Sequence, residues 1–190
     1  LWRHAEAFEM REVQDDMDRA LTPKGERQAQ RVATWLNRQL PSTARVLASP
    51  ARRAQQTAAA LDRKVRTSAE LAPDTTVEAL LHASRWPESR EPVLVVGHQP
   101  TLGLVAAYLL SAQAQAWSVR KGGVWWLRGR EREGELQVVL HAVISPELRV
   151  ADVAFNVGRT LDALREAAAQ QCRLAVFPEL GLTGYSCGDL

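Results

Sequence analysis

Residues 92–100 read Pro92-Val93-Leu94-Val95-Val96-Gly97-His98-Gln99-Pro100. The apolar run has no polar alternation, which describes a strand buried on both faces, as in a parallel sheet. Gly97 ends the run, and Pro100 opens a helix that continues to about Leu110. The same order recurs upstream. Arg45-Val46-Leu47-Ala48 is a short apolar run, Ser49-Pro50 turns it, and an Ala- and Gln-rich helix spans Ala51 to Leu61. Leu1-Trp2 is a strand stub before Arg3-His4, and the charged, patternless residues 5–20 read as a loop. Thr22 can cap a helix with Pro23 at its first position. Val32, Trp35, Leu36 and Leu40 then recur at helical spacing until Pro41 stops the run. A further helix is expected over Thr76 to Ser84. Val124-Trp125-Trp126-Leu127 and Leu136 to Val143 read as two strands joined by the charged turn Arg128 to Glu135. This alternation predicts an α/β domain of three layers with a mainly parallel sheet. A partial βαβ piece follows: Ala142 to Ser145, a helix over Val157 to Gln170, and a strand over Leu174 to Phe177.

The 190 residues suit one ordinary domain, or one domain with a fragment. At 46% hydrophobic and 24% charged residues the chain reads as globular rather than disordered. Its net charge of +2 gives no basic excess for a nucleic-acid partner. The longest apolar runs fall far short of a membrane span and no signal peptide is read, so a cytoplasmic protein without a membrane partner is expected. Cys172 and Cys187 both lie near the end, which excludes a disulfide scaffold and fits a reducing compartment. The chain opens Leu1-Trp2-Arg3 without a methionine, so the native start is expected upstream.

In open α/β sheets, ligands bind beyond the carboxyl ends of the strands. There the sequence places Arg3-His4, Ser49-Pro50 with Arg53, and Gly97-His98. Helix N-termini after Pro50 and Pro100 would aim backbone N–H groups the same way. Two Arg and two His converging on one edge make a cationic pocket suited to a tetrahedral dianion such as phosphate. An imidazole can act as a nucleophile when neutral, and neighbouring guanidiniums favour the neutral form. Arg3, Arg53 and His98 would then stabilise the oxygens of a phosphoryl group in transit. No Gly-x-Ser-x-Gly motif competes, and the four His residues lack the acidic or Cys neighbours of a metal site. No cofactor and no metal is therefore expected.

The segments Arg3-His4-Ala5-Glu6-Ala7, Leu21-Thr22-Pro23-Lys24-Gly25, Ser49-Pro50-Ala51-Arg52-Arg53-Ala54-Gln55-Gln56-Thr57 and Val96-Gly97-His98-Gln99-Pro100 resemble the histidine phosphatase superfamily. The branch they are most similar to is the SixA-type phosphohistidine phosphatases. Each motif alone is weak, but four in order at strand ends are specific. The resemblance covers residues 1–146 and implies a phosphoglycerate-mutase-like fold. It implies that His4 is the phosphorylated nucleophile, that Arg3, Arg53 and His98 form the phosphate pocket, and that Gln99 helps to bind substrate. The spacing to Gln56-Thr57 matches the family arginine to Arg53, leaving Arg52 on the rim. Ala5 stands where a glycine is usual, as in the SixA branch. Larger members carry a carboxylic acid that protonates the leaving oxygen. In Ala69-Glu70-Leu71-Ala72-Pro73-Asp74 the nearest position is Pro73, with Asp74 a weak substitute. A phosphoramidate needs that acid less than a phosphate ester does. The implied partner is accordingly a phosphohistidine-bearing protein or a small phosphorylated substrate.

Residues 147–190 carry a different resemblance. Ser145-Pro146-Glu147-Leu148-Arg149-Val150-Ala151-Asp152, Asn156 and Phe177-Pro178-Glu179-Leu180-Gly181-Leu182-Thr183-Gly184-Tyr185 are similar to the opening of a carbon–nitrogen hydrolase (nitrilase-type) domain, as in the glutaminase part of glutamine-dependent NAD synthetases. That resemblance matches Glu179 to the general base of a Glu-Lys-Cys triad. The Lys and Cys of that triad normally lie much further on, and Cys187 follows Glu179 too soon, so Glu179 is expected to be vestigial and no amidase activity is expected. The junction near Ser145 is read as a fusion of two genes or a truncated fusion. The tail carries four basic and six acidic residues against a basic body.

Other readings compete. Most Arg-His pairs are solvated surface, and a lone histidine after a glycine is often a helix cap. His82, on a helix, and His141, in an alternating strand, read as structural. Trp125-Trp126 reads as sheet packing, since no basic stripe surrounds it. The rival functions are a small phosphomonoesterase using the same pocket, an inactive phosphate-binding or truncated fusion protein, and an amidohydrolase fragment.

Overall fold

Strand β4 (Val93–Gly97) runs parallel to β2 (Arg45–Ala48) on one side and to β1 (Trp2–Arg3) on the other. The computed structural model describes residues 1–10, 15–147, 152–175, 177 and 182. Beyond β2 lies β3 (Val65–Thr67), also parallel; beyond β1 lie β5 (Val124–Arg132), antiparallel to it, and β6 (Glu135–Ile144). The six-stranded sheet of the described residues thus has the order β3-β2-β4-β1-β5-β6. The helices are α1 (Pro23–Gln39), α2 (Arg52–Ala59), α3 (Val77–Ser84), α4 (Thr101–Ser111) and α5 (Val153–Ala169).

Side chains alternate across a strand, so each strand feeds two cores. Leu47 of β2 and Val95 of β4 pack with Leu80 of α3 and with Leu102 and Val105 of α4, all buried. The intervening Val46, Ala48, Leu94 and Val96 are buried too and face the other way. There α2 packs on β2 and β4, and α1 packs on α2. Full burial of each such Leu contributes about 2 kcal/mol. The mixed α/β, mainly parallel arrangement is the expected one.

The first α1 turn is built as its sequence predicts. Thr22 Oγ1 accepts the Gly25 N–H at 3.0 Å, and the Thr22 N–H donates to the Glu6 carbonyl at 3.0 Å. This ties the chain just past β1 to the start of α1. Lys24 Nζ adds an ion pair to Glu6 at 2.8 Å. Gly25 is required by the close approach: a Cβ there would lie 1.9 Å from the Glu6 carbonyl oxygen.

One strand is added to the expected elements, and three local expectations need correction. The three-residue β3 is too short to show a period in sequence. The hairpin turn is only Glu133-Gly134, with φ of 57° and 82°, so β5 and β6 reach further than Leu127 and Leu136. Two consecutive left-handed residues match the twist of the strands, and the hairpin carries its charges on exposed positions. α5 begins at Val153 rather than Val157, because Asp152 caps it by accepting the Phe155 N–H at 3.0 Å. Leu174, Ala175 and Phe177 form no strand. A strand exists only through pairing, and these residues have no ladder partner among the described ones.

Trp125 and Trp126 behave as packing. Trp126 stacks edge-on against Trp35 and His141, with ring centroids 6.0 and 5.4 Å apart. His82 Nδ1 lies 2.7 Å from Glu70 Oε1 at the surface. The chain divides into two compact units, Leu1–Val143 and Ile144–Leu190. Among the described residues no helix is long and apolar enough to cross a membrane.

Gly25→Ala tests the anchoring of α1 to the β1 exit. The added methyl meets backbone rather than a side chain that can yield, so unfolding free energy from urea titration is expected to fall by about 2–3 kcal/mol. An unchanged midpoint would refute the anchoring role.

Candidate active site

The β1–β4 register pairs Arg3 with Gly97. The next residue on each strand is a histidine, so parallel pairing sets His4 beside His98, with ring centroids 5.1 Å apart. The His4 N–H donates to the Gly97 carbonyl at 3.1 Å and continues the ladder to the site. On the other side of β4, Ser49 follows the Ala48–Val96 pair and donates its N–H to the Val96 carbonyl at 3.0 Å. Arg53, in the first turn of α2, is buried at 3% exposure.

His4 Nδ1 lies 2.8 Å from the Ala5 carbonyl oxygen. A carbonyl only accepts, so Nδ1 carries the proton and Nε2 keeps its lone pair. Arg53 Nε donates to that Nε2 at 3.3 Å. Burial, opposed by the Ala5 hydrogen bond and helped by the charges of His98, Arg53 and Arg3, pushes the His4 pKa down to about 3. The ring is neutral at pH 7, with a nucleophilic nitrogen against a guanidinium. His98 is also neutral. Burial, then the charge of Arg53, takes it down to about 4. Its Nε2 is 2.7 Å from Ser49 Oγ, while its buried Nδ1 has no hydrogen-bond partner among the described residues. Arg3 Nη1 donates to the Val119 carbonyl at 2.7 Å, and its buried Nε is likewise unpartnered. Buried polar groups without partners are uncommon and favour a ligand that supplies them.

The residues flanking Arg53 are struts. Thr57 Oγ1 donates to the Arg53 carbonyl at 2.7 Å and accepts the Ala5 N–H at 3.0 Å, so α2 holds the residue after His4. Gln56 accepts the Leu21 N–H at 2.8 Å, and Gln55 donates to the Ser49 carbonyl at 2.5 Å. Gln99 lines the same cavity, but its carboxamide donates to the Trp117 carbonyl at 2.8 Å and accepts the Gly103 N–H at 2.9 Å. The amide therefore ties α4 to residue 117.

Arg3, His4, Arg53, His98 and Gln99 all line one cavity of about 370 Å³. Sequence reasoning missed three of its walls: Asp16, Arg19 and Lys121. Asp16 and Arg19 belong to the segment read as a patternless loop. Asp15 there caps a short turn by accepting the Met17 N–H at 2.9 Å, a signal the sequence does carry. Pro73 and Asp74 complete the rim, so a carboxyl stands beside the proline at the expected acid position. Arg3, Arg19, Arg53 and Lys121 against Asp16 and Asp74 leave the cavity cationic while both histidines are neutral. Among the described residues no group of three or more His, Cys, Asp or Glu is arranged to hold a metal ion. Glu179 lies outside the described residues.

The family model of the histidine phosphatase superfamily (branch 1) matches residues 1–80, and that of carbon–nitrogen hydrolases matches residues 140–189. An uncharacterized protein of Mycobacterium tuberculosis is 39% identical over 101 residues, spanning 50% of this chain and 62% of that protein. An uncharacterized protein of Picosynechococcus is 34% identical over 140 residues, spanning 67% of this chain and 82% of that protein. Among solved structures, the SixA protein of Nakamurella multipartitia superposes with a TM-score of 0.62 at 29% identity, covering 76% of this chain and 92% of that one. A protein histidine phosphatase SixA complexed with tungstate shares the fold at 24% identity and a TM-score of 0.60, covering 76% of this chain and 94% of that one.

The neutral histidines make folding sensitive to acid. The unfolded His4 has its ordinary pKa near 6.5 against about 3 when folded, so between these values the unfolded chain binds the extra proton. Stability is full above pH 6.5 and falls as pH drops toward about 3; His98, at about 4, adds in the same direction. The urea midpoint of the wild type is expected to fall from pH 6.5 to 4. His4→Asn, which keeps a donor for Ala5, is expected to flatten that fall. Parallel pH profiles would refute a buried neutral His4.

Proposed function

Because this chain belongs to the histidine phosphatase superfamily, we propose that it is a phosphohistidine phosphatase, acting through a covalent phosphoryl intermediate on His4. The observation that carries the reading is the His4 tautomer: Nδ1 is bound to the Ala5 carbonyl, and the Nε2 lone pair faces Arg53 in a cationic cavity. In the first step Nε2 attacks phosphorus. The new Nε2–P bond forms as the P–N bond to the substrate imidazole, already protonated on its other ring nitrogen, breaks, and the leaving nitrogen keeps the electron pair, so that a neutral imidazole departs. In the second step water attacks phosphorus from the opposite side. The Nε2–P bond breaks, its pair returns to Nε2, one water proton goes to solvent, and phosphate leaves. Arg3 and Arg53 neutralise the phosphoryl oxygens through both steps, and His98 Nδ1 supplies one more hydrogen bond. Gln99 acts as a positioning residue through its ties to Gly103 and Trp117.

Pro73 supports phosphohistidine over a phosphate ester. The position that would hold the family's acid cannot protonate an alkoxide, whereas a leaving imidazole is a far weaker base. The substrate is then a phosphohistidine-bearing protein. The activity is assigned to a domain over residues 1–146, with 147–190 a separate nitrilase-like segment outside the reaction.

One observation favours a second reading, a small phosphomonoesterase. Asp74 reaches the rim of the cavity and brings a carboxyl beside Pro73.

Two measurements test the assignment. A histidine-phosphorylated carrier domain should lose phosphate rapidly with the wild type and at background rate with His4→Asn, and the trapped label on the wild type should be acid-labile. Arg53→Lys, which loses the planar fork, should cost about 100-fold in kcat/KM. Equal rates for wild type and His4→Asn would sink catalysis by His4. Comparison with an alkyl phosphate separates the two readings. Preference for the ester, abolished by Asp74→Asn, would establish the phosphomonoesterase instead.

A further inference from the structure

The Arg53 guanidinium is shared between the proposed nucleophile and an acidic residue that also lines the cavity. Its Nε donates to His4, while Nη2 donates to Asp16 Oδ2 at 2.7 Å and Nη1 donates to the Asp16 backbone carbonyl at 2.5 Å. The Asp16 carboxylate therefore sits on a donor that a phosphoryl oxygen would use. Burial would raise this carboxyl, but hydrogen bonds and charges from Arg53 and Arg19 outweigh it and hold the group below its usual range. Asp16 is an anion at pH 7.

A strut could explain such a contact, but the structure separates strut from charge. The Asp16 backbone carbonyl already fixes Nη1, and it does so whatever the side chain is. Nor does the turn need this carboxylate, since Asp15 caps it. What the Asp16 side chain adds is a negative charge in an anion pocket. It also has a second seat: Oδ1 accepts from Arg19 Nε at 2.8 Å, and Arg19 is itself tied to the Phe8 carbonyl at 2.9 Å. Asp16 can release Arg53 and stay paired.

We propose that Asp16 is an internal ligand of this pocket, one that holds the outer fork of Arg53 and that an incoming phosphoryl group must displace. The inference rests on the phosphate-pocket reading above and adds a residue to it. Competition by Asp16 weakens every anion by the same factor, so weakly held anions drop out of the range that fills the site. A dianionic phosphoryl group, with its greater charge and three acceptor oxygens, still displaces it. The same competition acts on the inorganic phosphate left after hydrolysis and speeds its release.

The test is the affinity of the whole chain for inorganic phosphate at pH 7, by calorimetry, for wild type, Asp16→Asn, Asp16→Ala and Asp18→Asn. Asp18 is exposed two residues away, forms no hydrogen bond or ion pair with Arg53, and controls for loss of one nearby charge. Replacing a charge-assisted hydrogen bond to Arg53 should tighten phosphate binding by about tenfold or more in both Asp16 variants. Asp18→Asn should stay within about twofold of wild type, as expected for a solvated charge. Unchanged or weaker binding in the Asp16 variants would overturn the proposal and make the carboxylate a strut. An equal shift in Asp18→Asn would overturn it too, reducing the effect to general electrostatics. Absence of phosphate binding in all four proteins would remove the phosphate pocket itself, and the internal ligand with it.

Discussion

The parallel pairing of β1 with β4 is the constraint on which the site depends. It involves only Trp2↔Val96 and Arg3↔Gly97, yet it decides which residues meet at the sheet edge. Side chains reverse face with each residue, so a slip of one position would send His4 and His98 to opposite faces. The pairing is secured from three directions. Trp2 is fully buried, and its indole N–H donates to the Gly122 carbonyl at 2.9 Å. The Arg3 N–H donates to Gly123, and the Ala5 N–H to Thr57 of α2. A strand of two residues would not hold itself; its neighbours hold it.

From that register the electrostatics follow. His4 and His98 are forced together among guanidiniums, and burial with like charge keeps both neutral. The arrangement that makes the cavity attractive to an anion is therefore the one that leaves a lone pair on His4, the proposed nucleophile. In the proposed reaction binding and activation are one effect: each cation that would draw a phosphoryl group in also disfavours the protonated imidazole. Thr57, Gln55 and Gln56 contribute no charge and set the distances within which this works.

How much of this could be read in the sequence depended on how local the signal was. The apolar run at 93–96 and the proline-marked helix starts announced strands and helices directly, and residues just past strand ends named His4, Arg53 and His98. Thr22 and Pro23 marked the start of α1 because a cap and a first-turn proline act within one turn. By contrast, β3 was too short to carry a period, and α5 was read late because Asp152, its cap, lies outside its apolar pattern. Gln99 was read as a substrate contact; it lines the cavity, and its carboxamide also joins Gly103, one turn on, to Trp117, a partner that only tertiary packing brings near. Asp16 and Arg19 escaped for the same reason. Nothing in residues 5–20 has a period, and the value of Asp16 and Arg19 comes only from tertiary contact, Asp16 pairing with Arg53 and Arg19 with Asp16.

Arg53 also shows why a carboxylate belongs there. A guanidinium at 3% exposure with no counter-charge would be costly to bury, because desolvation of an unpaired ion amounts to several kcal/mol. A strongly held counter-ion would remove that cost and block the phosphate. Asp16 lies between these extremes. Its side chain is 34% exposed, which screens the pair, and Arg19 shares the carboxylate. The protein can thus keep Arg53 folded and paired in the cavity while leaving its outer donors within reach of a stronger anion. On this account the negative residue in the anion pocket offsets part of the cost of burying Arg53 without fixing its outer donors.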